Sequence, residues 1–317
     1  MKAANFATST SVIARHINIY ARVLACALLF TAWTAVATNA PDGPAAGADP
    51  TIDPGNRVEW HNEGTDTTRI TRILIDEAQT ERPGRVSRIG MIFAGTPYGA
   101  HTLEGEQECL RVNLDSMDCT TFVETVAALA MTARERRQSW QDFLYNLERL
   151  RYRNGVMEGY PSRLHYVSAW ILDNQARGLL NEVTGDISGS RYMVKSLDYM
   201  SRHSGDYPAL SDSVTLGRMR SVEAGYSNHR YPYLRSSQCS AKLLREMVRD
   251  GDIIAFTTAE KGLDVSHLGI AAVDEKGDVR LLHASSKGGK VMVDPLPLAD
   301  YIRRNRPEGI RIIRLAE

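Results

Sequence analysis

The sequence contains no Cys-x-x-Cys, His-x-x-x-His or His-Glu-x-x-His spacing, so it lacks the signals of structural and hydrolytic zinc sites. It has no Gly-x-Ser-x-Gly elbow, which removes the usual mark of a serine hydrolase. Neither charge is in excess: 38 Lys and Arg balance 38 Asp and Glu. There is therefore no basic field to attract nucleic acid and no acidic tail. No internal repeat of fixed period occurs, which argues against a solenoid or propeller. Cysteine is scarce, at four residues. What remains is an ordinary globular composition of 317 residues, 43% apolar and 24% charged, enough to bury a core in one large domain or two small ones.

The N-terminus differs from the rest. Lys2, Arg15 and Arg22 precede an uncharged run of 14 residues from Val23 to Val36, followed by Ala35-Val36-Ala37 and Thr38-Asn39-Ala40 as small-residue cleavage sites. This reads as a secretory signal peptide over residues 1–40. The run is short of the about 20 residues a membrane span needs, so no stable membrane insertion is expected after its removal. An uncleaved anchor, or lipidation at Val23-Leu24-Ala25-Cys26, is the alternative. Cleavage removes three positive and no acidic side chains, together with Cys26, and leaves Cys109, Cys119 and Cys239. An odd count in an exported protein leaves at least one thiol unpaired, and Cys119 is the natural candidate. A Cys109–Cys239 disulfide is allowed by the compartment, but sequence supplies no distance.

Residues 41–57 are Pro, Gly, Ala and Asp with almost no large apolar side chain, a flexible linker by composition. Residues 58–317 read as one domain. Its first half is helical: Phe122, Val123, Val126, Leu129 and Ala130 share a face behind Asp118 as cap. Trp140, Phe143, Leu144, Leu147 and Leu150 form a second stripe behind Ser139, and Leu164, Val167, Trp170 and Ile171 a third that stops near Gly178. The second half changes period. Asp252 to Phe256, His267 to Val273, Val279 to Ala284, Lys290 to Val293 and Ile310 to Leu315 are short Ile-, Val- and Leu-rich runs that read as antiparallel strands. Helices first and strands second predict an α+β fold with the helices on one face of a curved sheet.

Cys119 stands where the turn-like Asp118-Cys119-Thr120-Thr121 gives way to helical spacing. At a helix N-terminus the dipole and free N–H groups favour a thiolate and can hold an oxyanion. A thiol nucleophile needs an imidazole base. Of the eight histidines, His16 lies in the signal, and His61, His101, His203 and His229 lie in polar, irregular stretches. His165, His267 and His283 remain. A hairpin turning at residues 274–278 pairs positions whose numbers sum to about 552, which brings His267 and His283 to neighbouring rungs. In that arrangement His267 takes the thiol proton and His283 fixes its tautomer. Taken singly, a buried Cys is usually a small hydrophobe and a strand His a satisfied core residue; the three together make one mechanism.

Gly95-Thr96-Pro97-Tyr98-Gly99, Asp118-Cys119-Thr120-Thr121-Phe122, Ser266-His267-Leu268-Gly269-Ile270-Ala271 and Leu282-His283-Ala284-Ser285-Ser286 together resemble the NlpC-type cell-wall cysteine hydrolases of the papain-like superfamily. Thr102-Leu103-Glu104, Val112-Asn113-Leu114, Arg151-Tyr152-Arg153, Arg163-Leu164-His165-Tyr166 and Gly262-Leu263-Asp264 narrow the resemblance to the N-acetylmuramoyl-L-alanine amidase-like branch, over about Phe93 to Leu315. The resemblance implies a papain-like core with a long helical insertion at residues 134–250. It implies hydrolysis of a peptidoglycan or muropeptide amide by Cys119, His267 and His283, without metal or organic cofactor, by a monomer in the periplasm. Tyr98 matches a tyrosine beside the nucleophile that helps bind oxyanion or peptide. Asp118 matches the residue before it, with helix capping as the plain alternative. Thr120-Thr121 replaces the Ser-Gly that follows the nucleophile in many NlpC-type sequences, so stem-peptide specificity does not transfer. Three other activities stay open: a stem-peptide γ-D-glutamyl endopeptidase, an acyl transferase and a non-catalytic wall-binding module. Arg163, His165 and Tyr166 are candidates either for substrate contact or for purely structural roles.

Overall fold

The computed structural model describes residues 58–105 and 107–317. The signal-peptide and linker expectations therefore lie outside the described residues, as does Cys26.

The chain begins with β1 (Val58–Trp60) and α1 (Glu63–Ala78), whose first turn is capped by the Asn62 side chain accepting from the Thr65 amide. After α2 (Val86–Ile92) comes β2 (Leu110–Val112), which lies parallel to β1. The next helix, α3 (Cys119–Arg134), is buried at every position from Thr121 to Ala133. A helix apolar all round belongs in the interior rather than on a surface, and α3 packs against α1 and α2 as well as the sheet described below. α4 (Trp140–Arg151) and α5 (Val167–Ala176) follow as the spacing predicts, although Leu164 falls before α5 rather than inside it.

The chain continues through β3 (Leu180–Glu182), β4 (Arg191–Val194), α6 (Tyr199–Arg202), α7 (Ser213–Gly225), β5 (Arg230–Arg235) and α8 (Ala241–Met247). Then come β6 (Ile253–Thr257), β7 (Val265–Val273), β8 (Val279–Ser285), β9 (Lys290–Pro297), α9 (Leu298–Asn305) and β10 (Gly309–Leu315). The main sheet runs β4-β5-β10-β6-β7-β8-β9, with β3 also on β10, and every pairing in it is antiparallel.

Two expectations need correction. Helices cover both faces of the sheet, not one. Phe122, Val126, Phe143 and Leu147 pack with Ala255, Leu268, Ile270 and Leu282 on the first face. Leu244 of α8 and Leu298 and Ile302 of α9 pack with Ile254, Phe256, Leu281 and Ile312 on the second. The cause is visible in the strands: Ile253 to Thr257 is buried at all five positions, so both alternating faces are apolar and both must be covered. The segment 134–250 is also not simply helical, because it supplies β3, β4 and β5 to the sheet. Cys109, Cys119 and Cys239 are all free thiols, so the Cys109–Cys239 bridge does not form; Cys109 Sγ lies against Glu59 and Cys239 Sγ against the Arg235 carbonyl.

Candidate active site

Asp118 caps α3 from an extended backbone. Its Oδ1 accepts the Thr121 amide at 2.8 Å, and Thr121 Oγ1 accepts the Asp118 amide at 2.9 Å. This reciprocal box fixes the chain direction at the helix start, so Cys119 is the first helical residue and stands over the free N–H groups of the first turn. The plain role foreseen for Asp118 is thus the one its hydrogen bonds perform.

Across from α3, β7 and β8 pair from Val273↔Val279 to Ile270↔Leu282, all in the 552 register, and the ladder stops there. Beyond that point the Leu268 amide lies where it favours the charged form of the Cys119 thiol. The nucleophile candidate therefore sits against the residue that follows His267. Continuing the same register places Gly269 opposite His283 and His267 one diagonal step away. The imidazoles still meet: His267 Nε2 lies 2.7 Å from His283 Nδ1, with the rings edge to face. No register error is needed to join them, since a diagonal pair on one sheet face is within reach of long side chains. Gly269 makes the approach possible. A Cβ there would lie 2.6 Å from Leu281 Cδ1 and 3.1 Å from His283 Cβ.

The histidines lie on the second sheet face. The Phe256 ring stacks on His267, and Tyr301 of α9 meets the His283 ring edge-on at 5.6 Å between centroids. His283 is 3% exposed, and Asp294 Oδ2 of β9 lies 3.9 Å from its Nε2. Tyr98 is bridged to Met117 on the approach to α3, and its amide donates to the Gly289 carbonyl just before β9. Burial raises its phenol, and the neighbouring Cys119 and Asp118 charges add to the effect.

The electrostatics differ from the sequence expectation. Burial pushes the Cys119 thiol up to about 11, and the Asp118 charge adds to it; the Leu268 amide, Thr120 and the thiol's own amide pull the other way and lose. Burial, followed by repulsion from His283, pushes His267 down to about 3. Burial also lowers His283, against the opposing Asp294 charge. A helix N-terminus favours the thiolate, but here removal from water outweighs it. All three shifts favour the neutral forms, a thiol at Cys119 and uncharged imidazoles at His267 and His283.

The remaining candidates lie apart from this cluster and are engaged internally. Arg163, 5% exposed, donates to Glu104 Oε1 at 2.8 Å and to the Leu103 carbonyl at 3.0 Å. Tyr166 donates to Glu223 at 2.7 Å, and His165 Nε2 contacts the Tyr160 carbonyl at 2.9 Å. Sequence reasoning missed Asp294 and Tyr301, although an Asp before Pro295 within an apolar strand run is a signal of irregular backbone. No group of three or more metal-ligating side chains occurs among the described residues, nor is any described helix long and apolar enough to cross a membrane.

The family model described as AmiA-like, N-acetylmuramoyl-L-alanine amidase-like, matches residues 88–310. Among solved structures, an N-acetylmuramoyl-L-alanine amidase from Bacteroides uniformis ATCC 8492 is 37% identical, with a TM-score of 0.69, over 74% of this chain and 100% of that one. A Bacteroides fragilis protein provisionally named a xylanase is 40% identical, with a TM-score of 0.67, over 72% of this chain and 100% of that one. A protein from Legionella pneumophila str. Philadelphia 1 is 25% identical, with a TM-score of 0.64, over 80% of this chain and 96% of that one. No curated protein matches this chain.

Proposed function

Because the chain belongs to the AmiA-like, N-acetylmuramoyl-L-alanine amidase-like family, we propose that it is an exported cysteine amidase. Its substrate is the peptidoglycan bond between N-acetylmuramic acid and L-alanine. Cys119 is the nucleophile, His267 the base and His283 the group that orients it. With Nε2 of His267 committed to His283, Nδ1 is the ring nitrogen left for the thiol. The thiol proton passes to His267 as sulfur attacks the lactyl carbonyl carbon. The negative charge then forming on the carbonyl oxygen meets the amides of the first turn of α3, with Tyr98 beside them. Collapse breaks the carbon–nitrogen bond, and His267 gives its proton to the departing alanine amine. Water, deprotonated by the same imidazole, then hydrolyses the thioester to the lactyl carboxylate and returns the thiol.

The observation that carries this reading is the 2.7 Å contact between His267 and His283, on the strand whose next amide, Leu268, favours the charged form of the Cys119 thiol. Periplasmic location and a monomeric state belong to the same proposal, the former resting on the charge and apolar pattern of residues 1–40.

Digestion of defined muropeptides, read by mass, tests it. The amidase releases intact stem peptide and leaves a sugar with a free lactyl carboxylate. Retention of L-Ala-D-Glu on the sugar would assign the cut to the stem peptide instead. Cys119→Ala is expected to abolish release, and unchanged release by that variant would remove thiol catalysis altogether.

A further inference from the structure

The site holds one buried polar atom that the mechanism above leaves unused. His283 Nε2 has no hydrogen-bond partner among the described residues. Three groups face the His283 ring: His267 at its Nδ1, the Tyr301 ring at its edge, and Asp294, whose Oδ2 stands 3.9 Å from Nε2. That separation exceeds a hydrogen bond but leaves the carboxylate as the charge facing the unpaired nitrogen. Tyr301 is kept neutral, its phenol pushed up to about 12 by burial, with the Asp294 and Cys119 charges adding to this.

The placement of Asp294 is built into the sheet. His283 pairs with Met292, and Asp294 is two residues further along β9, on the same side. Between Leu282↔Val293 and Arg280↔Pro297 the register slips by two residues on β9, across residues 294–296. Such bulges re-aim side chains beside functional sites. The slipped segment is itself tied down: the Leu296 amide donates to Asp294 Oδ1 at 2.9 Å, which leaves Oδ2 toward the histidine.

The proton positions follow. For His267 Nδ1 to accept the thiol proton, the neutral ring must carry its hydrogen on Nε2 and donate it to His283 Nδ1. His283 must then carry its own hydrogen on Nε2, facing Asp294. In the opposite arrangement His283 donates from Nδ1, its bare Nε2 lone pair faces a carboxylate, and His267 presents an N–H to the thiol, which cannot act as base. A negative charge at this place favours the first arrangement and opposes the second.

We propose that Asp294 is a positioning residue that sets the tautomers of His283 and His267 and supports the imidazolium formed during attack. This inference rests on the thiol mechanism proposed above.

Nitrogen-15 NMR of the full protein with labelled histidine tests it in the unaltered chain at pH 7. The expected pattern is a protonated Nε2 and bare Nδ1 on both His267 and His283. A proton on His283 Nδ1 overturns the proposal. Asp294→Asn keeps the shape and removes the charge. It is expected to lower kcat about 10- to 100-fold, the scale on which partners that orient a working histidine act, with KM little changed. Alkylation of Cys119 by iodoacetamide at pH 7 should slow in step, while the thermal midpoint stays near that of the parent. A folded Asp294→Asn variant with parental kcat and alkylation rate overturns the inference. If Cys119→Ala nevertheless abolishes activity, the parent mechanism survives that failure; if Cys119→Ala remains active, the mechanism itself has failed.

Discussion

Gly269→Ala adds one methyl group at the point where the two histidine strands come together. The added carbon would lie 2.6 Å from Leu281 Cδ1, 3.0 Å from Leu281 Cγ and 3.1 Å from His283 Cβ. Leu281 is fully buried, packed beside Ala271 and Val279, so it has little space into which to retreat. The backbone of Gly269 does not have positive φ, hence alanine is not excluded by conformation and even gains about 0.4–1 kcal/mol by restricting the unfolded chain. Overpacking of a filled core costs about 1–3 kcal/mol, which outweighs that gain and leaves a net loss near 1–2 kcal/mol. For a domain of this size each kcal/mol lowers the thermal midpoint by roughly 2–4 °C. The larger effect falls on catalysis. Any shift that relieves the clash moves His283 away from Gly269 and disturbs the 2.7 Å contact with His267. A loss of about 1.4 kcal/mol in the transition state is tenfold in rate, so kcat is expected to fall at least about tenfold, with KM nearly constant. Thermal unfolding followed by circular dichroism and steady-state kinetics on one muropeptide measure both. A variant that keeps the parental midpoint and is within about twofold of the parental kcat would refute the claim that close packing at Gly269 positions the histidine pair.

Asp118→Asn separates cap from charge. Asparagine caps as well as aspartate, so stability should hold, while loss of the charge that helps raise the Cys119 thiol should speed its alkylation at pH 8; an unchanged or slower rate would contradict the electrostatic assignment. His267, pushed down to about 3, and His283, lowered by burial, stay neutral in the folded protein where unfolded imidazoles, near 6.5, take up protons. The unfolded state then binds more protons, and stability should fall as pH drops from about 6.5 toward the lowered folded values. Urea midpoints between pH 7.5 and 5.5 should show this decline, and His267→Gln should flatten it; equal slopes in parent and variant would remove His267 from the account.

Much of the site was legible because local rules fix it. Asp118 ahead of an apolar-periodic run marks a helix start, and a tight turn at residues 274–278 with Ile, Val and Leu on both sides predicts a register near 552, the value that the β7–β8 pairs take. β6 to β10 were recognisable from the same apolar runs, with ends displaced by a residue or two and β9 longer than foreseen. The missing parts depend on tertiary context. β3 and β4 are short and largely exposed, and β5 carries Pro232, so none shows a strand's alternation strongly. Covering of the second face by α8 and α9 follows only once strands buried on both sides are known to lie in one sheet. Asp294 reaches His283 through a register slip that no local pattern encodes. The direction of the thiol shift is likewise not local: the helix N-terminus can be read from sequence, but the burial that overrides it cannot.

That burial also decides how the chemistry starts. Burial raises the Cys119 thiol and lowers the His267 imidazole, so both shifts oppose moving the proton from sulfur to ring before a substrate arrives. Both shifts therefore favour the neutral forms over a stored ion pair. In the mechanism proposed above, proton transfer then accompanies attack, as the charge leaving sulfur is taken up by the carbonyl oxygen. Under that proposal the amides of the first turn of α3 serve that oxygen rather than a stored thiolate, since their donors are already oriented and need no reorganisation when the charge arrives.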